Sequence, residues 1–214
     1  MNPQPSSAHD AVRNAPLCVV LNAGAGHSDS EACMATLARV FDAAGRQYEF
    51  FLAEQPSQIA TIAGRALARA RQLDGVVVAV GGDGTLNAVA QLVLGSGRPF
   101  AAIPQGTFNY FGRVNGISQD TETAARALLG AQLEPVQVGA VNGRIFLVNA
   151  SVGLYPQLLQ DREAYKQQLG RSRLVALLSG LRTLLREPRQ LDLSIETGGE
   201  TLGLRTPTLF VGNN

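Results

Sequence analysis

The sequence is poor in charge, and only a small net charge remains. Charged residues make up 16% of the 214 residues, whereas ordinary globular domains are roughly a quarter charged. Because 45% of the residues are apolar, the composition excludes a disordered chain, which needs low hydrophobicity and high charge. The net charge of +1 also excludes a protein that binds nucleic acid through bulk positive charge, so we expect no nucleic-acid partner.

Cysteine and long apolar segments are also scarce. Cys18 and Cys33 are too few for a disulfide framework or a zinc site, and we expect both to be buried free thiols in a reducing compartment. The first residues are polar and lack the pattern of a signal peptide. No apolar run approaches the roughly 20 residues of a transmembrane helix. We therefore expect a cytoplasmic protein without a transmembrane segment.

Short apolar runs alternate with helical patterns after a polar lead-in over residues 1–15, which we expect to be disordered. Between the apolar runs, apolar residues recur at helical spacing, as in Cys33, Leu37 and Phe41. This alternation predicts an α/β domain over 16–137, with a parallel sheet covered by helices. The runs that predict buried strands are 17–21, 48–52, 76–80 and 100–103.

The pattern changes after about residue 135 and predicts the start of a β-rich domain over 138–214. Two apolar runs flank Asn142-Gly143, which is the strongest short signal for a hairpin. A helical stretch from about 156 to 187 follows, and further strand patterns run to the end of the chain. Because so few strands leave exposed edges, we expect the strands that complete the domain to lie beyond this chain.

A glycine-rich loop lies directly after the third predicted strand, at the start of a helix. Glycines let backbone N–H groups approach an anion, and a helix N-terminus adds unpaired donors and a favourable dipole. Thr85 can cap the helix and reach a phosphate oxygen, and Asp83 can orient Mg²⁺ through water. The alternative is a plain turn between strand and helix. The loop reads Gly81, Gly82, Asp83, Gly84, Thr85, Leu86, Asn87, which has neither the Walker spacing nor a GxGxxG spacing.

A second loop follows the fourth strand, over residues 104–113. In a parallel sheet it lies at the same carboxyl edge as the glycine loop, where open α/β folds bind ligands. Gly106 and Thr107 offer a second close approach to phosphate, Asn109 is a polar anchor, and Arg113 is a candidate anion contact. The alternative is an ordinary connection from strand to helix.

A third loop, from Asn22 to Ser28, follows the first strand. Asn22 can bond to a nucleotide that the loop borders. Alternatively, this segment only caps the next helix, with Ser28 as the N-cap.

Taken together, the three loops resemble those of the diacylglycerol kinase catalytic-domain family, which includes sphingosine, ceramide and related bacterial lipid kinases. The family pattern is an Asn-Pro-x-Ser-Gly-like loop, then Gly-Gly-Asp-Gly-Thr, then Pro-x-Gly-Thr-x-Asn-Asp-Phe-Ala-Arg. The resemblance covers about residues 16–145. NAD kinases share the Gly-Gly-Asp-Gly-Thr segment, whereas the later Gly-Thr-x-Asn motif selects lipid kinases.

The resemblance implies a phosphofructokinase- or NAD-kinase-like α/β domain followed by a β-sandwich. It implies transfer of the γ-phosphoryl group of ATP to a lipid hydroxyl such as that of diacylglycerol, with Mg²⁺ bridging the phosphates and a carboxylate accepting the proton. Asp83 is the candidate for orienting metal and phosphate. The candidate nucleotide-binding residues are Asn22, Gly81, Gly82, Asp83, Gly84, Thr85, Asn87, Gly106, Thr107 and Asn109.

The sequence departs from the family pattern at three places. Tyr110 stands where the family has an aspartate of its metal network, and Ala53 stands where many members have a threonine. The late Asp-Gly-Glu-type motif that supplies the catalytic carboxylate has no counterpart before residue 214. A NAD-kinase-like enzyme and a non-catalytic module that binds nucleotide or lipid therefore remain alternatives.

The stretch 162–189 suggests what kind of surface the protein binds. Its seven basic residues stand against two acidic ones within it, Glu163 and Glu187, and against Asp161 directly before it. A basic amphipathic helix can lie on anionic lipid, whereas the alternative is a solvated helix with a leucine core stripe. We expect a lipid substrate at a membrane surface and a peripheral location at the inner face of the membrane. The sequence leaves the oligomeric state open, a homodimer included.

Overall fold

A computed structural model describes residues 12–23, 27–153 and 190–213, with the side chains of 27–29 left out. The described chain divides into two compact units, one ending at Val148 and the other spanning Asn149–Asn213. The predicted helix over 156–187 and most of the predicted lead-in lie outside the described residues. No helix in the described ranges is long and apolar enough to cross a membrane.

The first unit alternates strands and helices as predicted. Each of the first four strands begins where the sequence predicts it and ends one residue later. A 3-10 turn, Pro56–Gln58, precedes the second helix. The elements in chain order are β1 (Leu17–Asn22), α1 (His27–Ala43), β2 (Tyr48–Ala53), α2 (Ile59–Gln72), β3 (Val76–Gly81), α3 (Asp83–Val93), β4 (Phe100–Pro104), α4 (Tyr110–Val114), α5 (Thr121–Leu129), β5 (Gly139–Val141) and β6 (Arg144–Phe146).

A four-stranded parallel sheet forms the centre of this unit, in the order β2-β1-β3-β4. Leu17 of β1 lies opposite Tyr48 of β2 on one side and Val76 of β3 on the other. Every residue of β3 is buried, because helices cover both faces of the sheet. The predicted α/β fold with a parallel sheet is therefore confirmed.

Alternate residues of the strands build two separate cores. In β1, Cys18 and Val20 face the core covered by α2 and α3. Leu17, Val19 and Leu21 face the core covered by α1 and α5. A strand that packs on both faces needs apolar residues at every position, which explains the unbroken apolar runs of the sequence.

The strand order fixes where the loops meet. From β1 the chain passes to β2 on one side and then crosses back to β3 on the other side of β1. The carboxyl ends of β1 and β3 therefore border the point where the strand order reverses, which is the usual place for a ligand in an open α/β sheet. Asn22 ends β1, Gly81 ends β3 and Pro104 ends β4 at this edge.

The predicted hairpin at Asn142-Gly143 is present, with shorter strands than the sequence indicates. Asn142 and Gly143 have φ angles of +49° and +75°, and a two-residue turn with both φ values positive matches the twist of the flanking strands. This β5–β6 hairpin belongs to the first unit. A boundary between folding domains near residue 138 stays a prediction.

The second unit contains antiparallel strands, as the sequence indicates. β7 (Asn149–Gly153) pairs with β10 (Thr208–Gly212), and β8 (Leu191–Thr197) pairs with β9 (Glu200–Thr206). The predicted turn at Gly198-Gly199 joins β8 to β9, and both glycines have a positive φ.

Both cysteines are buried free thiols, as predicted. Burial raises the pKa of Cys18 to about 11, so this thiol is protonated at neutral pH and behaves as a small apolar side chain.

Leu37 of α1 tests the core beneath α1 and α5, because its side chain is fully buried there. Replacing Leu37→Ala is expected to lower the free energy of unfolding by about 2–5 kcal/mol, since the deleted side chain leaves a cavity. Urea denaturation followed by circular dichroism measures this change. The control Leu94→Ala, at a side chain that is 56% exposed, should change it by less than about 1 kcal/mol. Equal losses for the two variants would contradict the described core.

Candidate functional site

A cavity of about 860 Å³ opens at the carboxyl edge of the sheet. The ends of β1 and β3 and the loops after β3 and β4 border it, so the three predicted loops meet there. Of the predicted nucleotide-binding residues, Asp83, Asn87 and Asn109 do not line the cavity. Those that line it are Asn22, Gly81, Gly82, Gly84, Thr85, Gly106 and Thr107.

The rest of the wall consists of residues whose sequence pattern is that of a core or that stand in no recognisable motif. They include Cys33 of α1 and Ile59 of α2, whose helical spacing is that of core residues. Burial raises the pKa of Cys33, so its thiol stays protonated and uncharged at neutral pH. An apolar wall facing a few polar loops is typical of a small-molecule site.

The first turn of α3 carries the glycine loop. Gly82 is the N-cap residue, with φ −77° and ψ 174°, and it has no side chain to cap the first amides. The first amides of a helix lack intrahelical partners, so a helix that starts beside a cavity favours an anion there. Thr85 lies in the first turn and is not the N-cap, which corrects the predicted capping role.

Glycine is required at 106 by the packing of the two loops and at 81 by the side chain of Thr85 in the same loop. The amide of Gln105 donates to the carbonyl of Gly81 over 2.8 Å. A Cβ atom on Gly106 would lie 2.6 Å from the Cα of Gly82, and one on Gly81 would lie 2.7 Å from the Cβ of Thr85. Real Cβ atoms do not approach other atoms so closely, so the two loops meet backbone to backbone.

Gly84 differs from these glycines. It lines the cavity from the first turn of α3, yet a Cβ atom placed on it would meet no protein atom within 4 Å. Its φ angle also lies outside the positive region that favours glycine. Neither packing nor backbone conformation within the described chain therefore demands glycine at this position.

Asn22 and Thr85 connect the end of β1 to the start of α3. The Nδ2 of Asn22 donates to the Oγ1 of Thr85 over 3.3 Å, and Thr85 is only 5% exposed. This hydrogen bond places an amide and a hydroxyl side by side on the cavity wall.

Asp83 joins the glycine loop to the second loop. Its two carboxylate oxygens accept hydrogen bonds from the backbone amides of Tyr110 and Phe111, each over 3.1 Å. These amides are the first two of α4, so a carboxylate from another element caps that helix. The structure thus gives Asp83 a positioning role, and its orientation of a metal stays a prediction.

Among the described residues, no cluster of side chains could hold a metal ion without ligands from a bound molecule. No group of three or more His, Cys, Asp or Glu side chains occurs within residues 12–23, 27–153 and 190–213. The carboxylate of Asp83, in the glycine loop, already accepts hydrogen bonds from two backbone amides. We therefore assign no Mg²⁺ ligand in the described chain.

Asn109 shapes the second loop from within. It is 5% exposed and has a φ of +51°, a left-handed conformation that asparagine tolerates better than most residues. Its Oδ1 accepts from the amide of Gly106 over 2.7 Å. Its Nδ2 donates to the carbonyl of Gly106 over 2.9 Å and to the Oε1 of Gln119 over 2.7 Å. The predicted polar anchor is therefore an anchor of the loop itself.

Asn87 holds the β5–β6 hairpin against α3. Its Nδ2 donates to the carbonyl of Ile145 over 3.1 Å, and its Oδ1 accepts from the amide of Leu147 over 2.9 Å. Gln91, one turn later, accepts from the amide of Ile145 over 2.8 Å. The sequence signal for this contact is the four-residue spacing of Asn87 and Gln91, which places both amide side chains on one face of α3.

The remaining candidates have local roles. The Nε of Arg113 donates to the carbonyl of Phe108 over 2.8 Å, which stabilises the loop. Ala53 ends β2 fully buried in the core. Ser28 is the second residue of α1, which begins at His27, so Ser28 is not its N-cap. Residues 24–26 of the predicted third loop lie outside the described chain.

Comparison with known proteins shows which family this part of the chain matches. The family model named "Diacylglycerol kinase catalytic domain" matches residues 16–141. A Pseudomonas aeruginosa protein named "Probable lipid kinase YegS-like" is 43% identical over 108 residues, which cover 49% of this chain and 35% of that protein. A Bacillus subtilis protein named "Diacylglycerol kinase" is 34% identical over 134 residues, which cover 61% of this chain and 43% of that protein. The matched part is thus less than half the length of these relatives.

Solved structures share the fold. Two crystal structures of proteins from Bacillus anthracis superimpose with TM-scores of 0.69 and 0.67, at 25% and 23% identity. They match 94% of this chain and 65% and 64% of their own chains, and the second is named a diacylglycerol kinase.

The positioning role of Asp83 predicts a local effect on α4. Asp83→Asn retains one acceptor oxygen but turns an NH₂ group toward a backbone amide, so we expect a loss of about 1–3 kcal/mol in the free energy of unfolding. Hydrogen exchange should accelerate at the amides of Tyr110 and Phe111. The control Asp74→Asn removes a carboxylate that is 90% exposed and pairs with Arg98, and it should cost less than about 1 kcal/mol. Unchanged exchange at both amides would refute the capping contact.

Proposed function

The chain belongs to the diacylglycerol kinase catalytic-domain family, and from this premise we propose that it is the ATP-binding part of a lipid kinase. The reaction would transfer the γ-phosphoryl group of ATP to a lipid hydroxyl, such as that of diacylglycerol. The family membership supports a kinase, and the cavity at the edge of the sheet supports a nucleotide as its ligand.

Gly84 is the observation that carries this proposal. Where the backbone conformation suits alanine, glycine costs about 0.4–1 kcal/mol relative to alanine, because it loses more conformational freedom on folding. Packing among the described residues gives no reason for that cost, because none of their atoms would lie within 4 Å of a Cβ atom on Gly84. A phosphate group bound at the first turn of α3 would explain the glycine. The methyl group of an alanine at position 84 would occupy the space that the phosphate needs.

The other lining residues suit the same ligand. The uncapped start of α3 favours the negative charge of phosphates, and the side chains of Asn22, Thr85 and Thr107 offer polar contacts. The apolar wall formed by Cys33 and Ile59 suits the less polar part of a nucleotide. The cavity volume also lies within the roughly 300–1,000 Å³ of ordinary ligand sites.

In this reaction the described residues act by positioning. Bound ATP supplies the phosphoryl group, and catalysis of phosphoryl transfer is mostly a matter of alignment and charge stabilisation. The contact between the glycine loop and the second loop fixes the start of α3. Asp83 holds the second loop against the first turn of that helix. No Asp, Glu or His is found among the described residues that line the cavity, so we assign the proton acceptor to none of them.

Replacing Gly84→Ala separates ligand binding from folding. We expect the affinity for ATP to fall by at least about tenfold, because the new methyl group occupies the phosphate approach, while the thermal midpoint stays equal or rises. Isothermal titration with Mg-ATP and thermal unfolding measure the two effects.

The matched control is Gly64→Ala, in the interior of α2. A Cβ atom there also meets nothing within 4 Å, and Gly64 does not line the cavity. This variant should be stabilised by about 0.5–1 kcal/mol and should bind ATP as the parent does. If Gly84→Ala binds ATP with unchanged affinity, the glycine loop is not the phosphate site.

The acceptor is tested by supplying the 214-residue chain with Mg-ATP labelled at the γ-phosphate, together with dispersed diacylglycerol or NAD. Label in the lipid supports the proposed function. Label in NAD would instead identify a NAD-kinase-like enzyme. ATP binding with transfer to neither acceptor would mean that these 214 residues alone act as a nucleotide-binding module, and failure to bind ATP would contradict the proposed function.

A further inference from the structure

Three apolar side chains protrude together beside the candidate site. Phe108, Tyr110 and Val114, here called the aromatic patch, are 59%, 49% and 66% exposed. The rings of Phe108 and Tyr110 stack almost parallel, with centroids 5.5 Å apart and planes at 4°. Single exposed apolar residues need no explanation, but adjacent large ones indicate a surface that binds something.

The backbone holds these side chains outward. Asn109, between the two aromatic residues, is buried and bonded to both backbone groups of Gly106. Asp83 holds the amide of Tyr110, and Arg113 holds the carbonyl of Phe108. The loop is therefore fixed at four points, and the exposure of the rings follows from its conformation.

The segment that carries the aromatic patch, residues 104–114, has Arg113 as its one charged residue. The sequence contains no Asp or Glu between Gly84 and Gln119. The guanidinium group of Arg113 lies next to the patch through its bond to Phe108, whereas the carboxylate of Asp83 is occupied by backbone amides. An apolar aromatic surface with a neighbouring arginine complements an anionic lipid interface, where rings enter the headgroup region and arginine meets phosphate.

Building on the proposed function, we propose that the aromatic patch docks the protein onto the surface of an anionic phospholipid bilayer. The patch directly follows Thr107, which lines the cavity. Docking would therefore bring the headgroup region next to the phosphate-binding loops. A lipid hydroxyl would then approach the site without leaving the bilayer.

The absence of tryptophan from the sequence makes a clear test possible. In the variant Phe108→Trp, the single indole reports the environment of the patch. Vesicles of phosphatidylcholine mixed with phosphatidylglycerol should shift its emission to shorter wavelength, more strongly than phosphatidylcholine alone and less strongly at high salt.

The control is Leu94→Trp. Leu94 is 56% exposed and follows α3, whose far end lies at the opposite edge of the sheet. Its emission should not respond to vesicles. Equal shifts in the two variants, or none in Phe108→Trp, would overturn the proposal. The proposal would also be overturned if the emission of Phe108→Trp shifted without vesicles and the shift grew with protein concentration. A second copy of the chain would then cover the patch.

A loss variant gives a second measure. The double change Phe108→Ser and Tyr110→Ser should lower the fraction bound to anionic vesicles by about tenfold in a flotation assay, because most of the inserted apolar area is lost. Leu94→Ser should leave binding unchanged. Unaltered vesicle binding by the double variant would refute docking through this patch.

Docking and the proposed function can fail separately. Mg-ATP titration of the same variants measures the nucleotide site without lipid. If ATP binds normally but vesicles do not shift the emission, docking is wrong and the nucleotide site stands. If vesicles shift the emission but Mg-ATP does not bind, docking stands and the proposed nucleotide site is wrong.

Discussion

The carboxylate of Asp83 accepts two backbone amides from the start of α4, and the geometry of the candidate site depends on this contact. Asp83 lies in the first turn of α3, whereas its partners follow the second loop. One side chain therefore fixes the distance between two loops that leave different strands. The backbone contact of Gly82 with Gly106 is sterically possible because Gly106 has no side chain, and a Cβ atom on Gly82 would also be crowded, at 3.3 Å from the Cα of Gly106. A carboxylate bridge and a pair of glycines together keep the two loops in register.

The sequence predicts the architecture well because the architecture depends on local patterns. Apolar residues at every position of 76–80 require a strand buried on both faces, and the structure has that strand at the centre of the sheet. Once the strands are parallel and alternate with helices, the loops after β1, β3 and β4 must share one edge. The meeting of the three loops at one cavity is a consequence of this order.

The roles of individual polar residues could not be predicted in the same way. Asn87 bonds to the backbone near Ile145, almost sixty residues later, and no periodicity reveals such a partner. Asn109 acts on its own loop because of a left-handed φ that the sequence does not display. Helical spacing does not distinguish a cavity wall from a core, so the sequence pattern alone does not reveal that Cys33 and Ile59 line the cavity.

Gly84 also has a meaning for how selection acts on this chain. The described fold would accept alanine there and would gain helix stability from it. Selection for stability alone therefore favours replacement, whereas selection for a ligand at the start of α3 opposes it. In a descendant that no longer needs the ligand, Gly84 should be among the first residues of the loop to drift, while Gly81 and Gly106 should persist because the fold itself requires them.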